Sequence, residues 1–260
     1  MSTPAAGARL SWLLALAALF GVAAVCWGFL YLSASAMSRM AGTPALLSLA
    51  RVMMSPGDVG PYLAASALMW VAMMVAMMTP AVVPMMAVFR GLVREGNATL
   101  AACAFAGGYF ACWSVFGLVA AVLQWWLHDR GVLHGMGLAT APRMGGMLLV
   151  AAGLYQLTPL KSACLSHCRG PLGFFLEHWR AGLAGAFRMG ARHGVYCLGC
   201  CWVLMLLMFA GGAMSVPTMA ALSAFILAER LLPAGPWVAR APGVLLVLLG
   251  LGLWFGVSGR

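Results

Sequence analysis

The chain has 260 residues, 64% of them hydrophobic and only 8% charged, with a formal net charge of +10. A water-soluble domain carries roughly 25% charged residues, so the composition excludes an ordinary soluble enzyme, a disordered chain and a coiled coil. It fits an all-α polytopic membrane protein, read as one membrane domain over residues 1–260. The 15 Lys and Arg against 5 Asp and Glu fall in short loops between apolar runs, which suits membrane topology and anionic headgroups and not nucleic acid.

The first apolar run, Leu10 to Leu32, is too long for the apolar region of a secretory signal and reads as a transmembrane helix. Ser33 to Gly60 is a connection lying on the membrane surface. Tyr62 to Phe89 is the second span, with Pro80 and Pro84 predicting a kink near its end. Ala98 to Leu127 is the third, closed by the interfacial pair Trp125 and Trp126. Met144 to Leu160 reads as a shorter fourth span. The connection over residues 161–192 is basic and irregular, with His167, His178 and an apolar Phe174-Phe175-Leu176 patch that suits an interfacial helix. Gly194 to Met214, Val216 to Ala228 and Gly243 to Val257 complete about seven spans, or six if the fifth and sixth form one broken unit. Ten of the 15 basic residues, Arg9 among them, then share one side, which puts the N-terminus inside.

Chemistry enters with 8 Cys and 20 Met. At 100° per residue Met69, Met73 and Met77 form one helical stripe, and Met74, Met78 and Met85 the stripe beside it. Thioether sulfur is a soft, uncharged ligand that suits Cu(I) in a low-dielectric bundle; the competing reading is flexible apolar filler. Cys197, Cys200 and Cys201 lie within five residues, and Cys197, Cys201 and Met208 share a helix face flanked by Cys200 and Met205. Cys164 and Cys168 lie one helical turn apart beside His167, with Lys161 and Arg169 placed to favour thiolates there. Together the two segments offer a three- or four-sulfur site at the cytoplasmic mouth. Zn(II) would also accept such a set; the methionines tip the choice to copper. Cys26, Cys103 and Cys112 read as packing residues. Glu229 and Arg230 read as a snorkelling anchor or local ion pair.

Three blocks carry a resemblance: Met69 to Met85 (MWVAMMVAMMTPAVVPM), Tyr155 to Leu172 (YQLTPLKSACLSHCRGPL) and Gly194 to Trp202 (GVYCLGCCW). They resemble the predicted metal-binding integral membrane protein family of bacteria, over a core of residues 61–233. The resemblance implies metal binding, and some members are associated with supplying copper to oxidases. The positions it carries over are Met73, Met74, Met77, Met78, Cys164, Cys168, Cys197, Cys200 and Cys201. Where the family commonly has Asn after the methionine that ends the fifth span, this sequence has Ser215, which argues against a polar ligand in that turn.

The expectation is a non-enzymatic, multi-pass protein of the bacterial inner membrane that binds Cu(I) for delivery to a cuproenzyme or soluble carrier. Cys164, Cys168, Cys197, Cys200, Cys201 and His167 would capture the ion. Met73, Met74, Met77, Met78, Met205 and Met208 would accept it within the bundle. The alternatives are a membrane thiol–disulfide or quinone-linked redox protein, and an assembly subunit whose Cys and Met only pack.

Overall fold

A computed structural model describes residues 3–39, 42–94, 96–232 and 236–256, with the side chains of residues 3–6 and 236–239 left aside. Pro233, Val257 and Arg260, which enter the expectations above, lie outside the described residues. The described chain is helical except for one short hairpin.

Helix α1 (Thr3–Arg39) is followed by α2 (Pro44–Met53) and the long α3 (Val59–Leu92) and α4 (Ala98–Asp129). The connection after the first apolar run is therefore largely helical. Thr43 caps α2 by accepting from Leu46 N, and Asn97 caps α4 by accepting from Leu100 N, each satisfying an otherwise orphaned amide. Helix α3 continues through Pro80 and Pro84. The starts of α1 and α4 and the end of α3 share one face, where Ser11 Oγ meets Thr99 Oγ1 and Arg90 donates to Ala8 O. Tyr62 and His128, 3.0 Å apart, mark the opposite face.

On that opposite face β1 (Leu133–His134) pairs antiparallel with β2 (Ala139–Thr140). The chain returns as α5 (Pro142–Gln156), α6 (Pro159–Arg169), α7 (Pro171–His178), α8 (Gly182–Leu206), α9 (Met208–Gly211), α10 (Val216–Leu231) and α11 (Pro236–Gly256). Helix α8 packs along α4 at backbone contact. A Cβ on Gly190 would fall onto the Phe105 carbonyl, and one on Gly108 onto the Phe187 carbonyl. Small residues of this kind let helix backbones approach where apolar burial alone gives no drive. Helices α5 and α11 meet the same way, with Gly153 against Gly243 and Gly146 against Gly250.

The expected seven spans are not supported. Four segments are long and apolar enough to cross a bilayer: Gly7–Arg39, Val59–Leu92, Ala98–Asp129 and Gly182–Gly211. A fifth is added if α5 and α6, bent by 66° at Thr158, count as one broken span. The expected fourth span is not one straight helix, because Thr158 caps a new helix and Pro159 opens it, as a proline at a first turn does. Helix α10 has 16 residues, roughly 24 Å at 1.5 Å per residue, short of the ~30 Å hydrocarbon layer. In α11 the described apolar stretch, Arg240–Gly256, also falls below span length. The fifth apolar run begins earlier than expected, because α8 starts at Gly182 and takes up the end of the basic connection. The rest of that connection is α6 and α7. Phe174 and Phe175 are buried, Phe175 against Phe89 and Phe105, and not spread on an interface.

Candidate metal centre

Cys197 is the sixteenth residue of α8, so the three-cysteine turn lies well inside the bundle, deeper than the mouth expected from the sequence. Cys197, Cys200 and Cys201 are all buried. The Sγ atoms of Cys200 and Cys201 both donate to Cys197 O, at 3.1 and 2.9 Å. Helix α6 lies across this turn. Its Cys164 sits over Gly199, where a Cβ would come within 2.8 Å of the sulfur. Its Cys168, one turn further on, is buried. The structure thus brings together the two cysteine groups that lie far apart in sequence.

Two further residues close on them. Tyr109 of α4 places its hydroxyl 3.0 Å from Cys197 Sγ. Arg230 of α10 donates to Cys197 Sγ, lies 3.8 Å from Cys200 Sγ, and donates to Ala81 O of α3. Its Nε has no partner among the described residues. Arg230 was not among the expected ligands, and its supposed local pairing with Glu229 is not what forms. Glu229 instead takes the ammonium of Lys161 at 2.6 and 2.7 Å and the amide of Gln156 at 3.1 Å. Arg169 donates to the Glu229 backbone carbonyl. The cations expected to favour the α6 thiols are therefore spent on Glu229, and the guanidinium facing sulfur comes from α10. A cavity of about 120 Å³ lined by Gln156, Lys161, Arg169 and Glu229 opens beside them.

Among the described residues, no three His, Cys, Asp or Glu side chains converge in a metal-holding geometry. Cys197 and Cys200 face the guanidinium of Arg230 instead. His167, expected among the ligands, is half-buried away from the sulfurs' guanidinium; it stacks on Tyr196 with ring centroids 4.4 Å apart and bonds Ala163 O. A different histidine was missed. His193 is fully buried, stacked between Phe105 and Tyr109 with Phe174 at its edge, and neither ring nitrogen has a partner among the described residues. Its signal in the sequence is the i, i+4 spacing to Cys197.

The methionines form the second part of the site. Met73, Met74, Met77, Met78, Met205 and Met208 are all buried. Both stripes of α3 are covered because the helix has neighbours all round: α1, α4 and α10 pack against it. Ser223 of α10 donates to Met77 O one turn before the level of Ala81 and Arg230. A row of thioethers thus leads from the level of the thiols towards the opposite face. Cys26, Cys103 and Cys112 lie outside the cluster, Cys112 being packed against Gly194.

A family model described as "PpoB2: Copper chaperone" matches residues 67–253, that is 187 of the 260 residues. No curated protein and no solved structure matches the chain.

Proposed function

Because this chain belongs to the PpoB2 copper chaperone family, we propose that it binds Cu(I) within a membrane and hands it on to a cuproenzyme or a soluble carrier. The membrane is the bacterial inner membrane, with the N-terminus on the cytoplasmic side and no catalysed reaction. The observation that carries the reading is the buried pair Cys197 and Cys200 on Arg230, with α6 and its buried Cys168 packed across the same turn and buried methionines beyond. Two thiolates and one Cu(I) carry a net charge of −1. A buried ion is tolerated only when compensated, and the guanidinium supplies +1 at the sulfurs. To admit the ion, Arg230 withdraws from Cys197 Sγ while remaining its counter-charge. The cavity beside Lys161 and Glu229 is the route in.

Beyond the thiols, Met73, Met77, Met205 and Met208 offer neutral ligands, to which the ion passes with its charge uncompensated. Binding there is weaker, and transfer needs sites loose enough to leave. Thioethers favour Cu(I) over Zn(II), although the thiols alone would take either. Cys164 of α6, packed on Gly199 between Cys197 and Cys200, favours a second reading, a thiol–disulfide couple. Anaerobic purification in detergent, metal analysis and Cu(I) competition with a chromogenic chelator separate the two. Copper bound at one or more equivalents, with a tight equivalent lost in Cys197→Ser/Cys200→Ser/Cys201→Ser, is expected. A metal-free protein whose thiols titrate as a reversible disulfide pair overturns the copper reading.

A further inference from the structure

Near the opposite face, four methionines from separate stretches of chain converge on one small cavity. Met69 and Met73 come from α3, Met214 from the turn before α10, and Met219 from its first turns. The cavity measures about 10 Å³, and Leu30, Trp70, Gln124 and Ala213 complete its wall. All four methionines are buried. That volume holds about one water-sized particle.

The lining decides what the particle is. Gln124 is the polar side chain of the wall, and it is already engaged. Its amide group donates to Tyr62 Oη and Ser66 Oγ, each at 3.2 Å, and its carbonyl accepts the Trp70 indole at 2.8 Å. A buried water requires two to four polar partners, which this wall does not supply. A hard cation would find no carboxylate. A soft monovalent cation finds four sulfurs.

The methionines are also held in place. Gly212, at φ +94, turns the chain, and Ala213 N and Met214 N donate to Leu138 O and Gly137 O of the hairpin. Ser215 then caps α10 by accepting from Thr218 N. Flexible Met side chains acting as filler would close a gap of this size; here they line it.

We infer that Met69, Met73, Met214 and Met219 form a second, all-thioether site for a soft monovalent cation, distinct from the thiol cluster. The copper reading above names its natural occupant, and the inference rests on it for that identity alone. The site lies at the far end of the methionine row and would be the exit station of the transfer.

The test titrates the full chain in detergent with Ag(I), a closed-shell soft cation, and counts bound metal after equilibrium dialysis. A background with all eight cysteines, Cys26, Cys103, Cys112, Cys164, Cys168, Cys197, Cys200 and Cys201, changed to Ser removes every thiol ligand. One equivalent of Ag(I) should remain there, Zn(II) should not bind, and adding Met69→Leu/Met219→Leu should abolish the remainder. Met to Leu conserves volume and is well tolerated, so the same double change in the wild-type background, which should lower the stoichiometry by one, covers the case of a serine background that does not fold. Retention of thiol-bound metal with no Leu-sensitive equivalent overturns this inference and leaves the proposed function standing. A Leu-sensitive equivalent with no thiol-bound metal does the reverse.

Discussion

Removing the carboxylate of Glu229 should destabilise the protein far more than removing the whole ion pair. The Lys161 and Glu229 side chains are only 4% and 13% exposed and meet at 2.6 Å. At an effective dielectric of about 20, two charges that close attract by roughly 6 kcal/mol. Most of this is offset by the cost of taking both out of water, so the pair as a whole contributes little. Glu229→Gln leaves the Lys161 ammonium buried without its counter-charge, a loss of about 3–5 kcal/mol. The Arg169 bonds to the Glu229 backbone carbonyl survive the change, so the carboxylate alone is interrogated. Lys161→Met/Glu229→Leu removes both charges and should return to within about 1 kcal/mol of wild type. Denaturant titration in micelles, followed by tryptophan fluorescence, measures all three. A Glu229→Gln cost below about 1 kcal/mol, or a double variant as unstable as the single, refutes the reasoning.

Four other outcomes follow from the packing. Arg230→Met should weaken Cu(I) binding at least tenfold in chelator competition, because a bis-thiolate complex loses its compensating charge; unchanged affinity would remove Arg230 from the centre. Gly190→Ala should cost at least about 3 kcal/mol through collision with the Phe105 carbonyl, whereas Gly107→Ala, with only the Phe187 ring at 3.9 Å, should fold normally; the yield of monodisperse protein distinguishes them. His193→Phe replaces an imidazole with two unpartnered nitrogens inside an aromatic cage and should raise the thermal midpoint, by a contribution of about 1–3 kcal/mol. A fall in the midpoint would mean that the nitrogens are satisfied in the working protein. Trp70→Phe leaves the Gln124 carbonyl without its indole donor and should cost about 1–3 kcal/mol, read by the same titration.

The sequence made the long helices legible because lipid-facing segments need unbroken apolar length, and α1, α3 and α4 have it. It also made the cysteine face of α8 legible, since helical periodicity alone puts Cys197 and Cys201 together. The span count failed where apolar length stopped being informative. Thr158 and Pro159 interrupt a run that hydropathy reads as continuous, and α10 is apolar yet too short. The cations around the thiols were misassigned for a related reason. Lys161 lies three residues from Cys164, but its partner Glu229 lies 68 residues further on. Only tertiary structure shows that this pairing frees Arg230 for the sulfurs. Met214 and Met219 escaped notice because the sequence places them on either side of a turn, and Gly212 with the hairpin joins them to α3.

The Arg230 contact has a consequence for biosynthesis. Arg230 is made 33 residues after Cys197 and later still than Cys164 and Cys168. At the ribosome's rate of about 5–20 residues per second, roughly 2–7 s pass between the two. During that interval the nascent chain holds all its clustered thiols without the guanidinium that later sits among them. The newborn chain therefore carries its thiols without the counter-charge that holds a thiolate-bound ion, and the order of translation sets when the centre becomes complete.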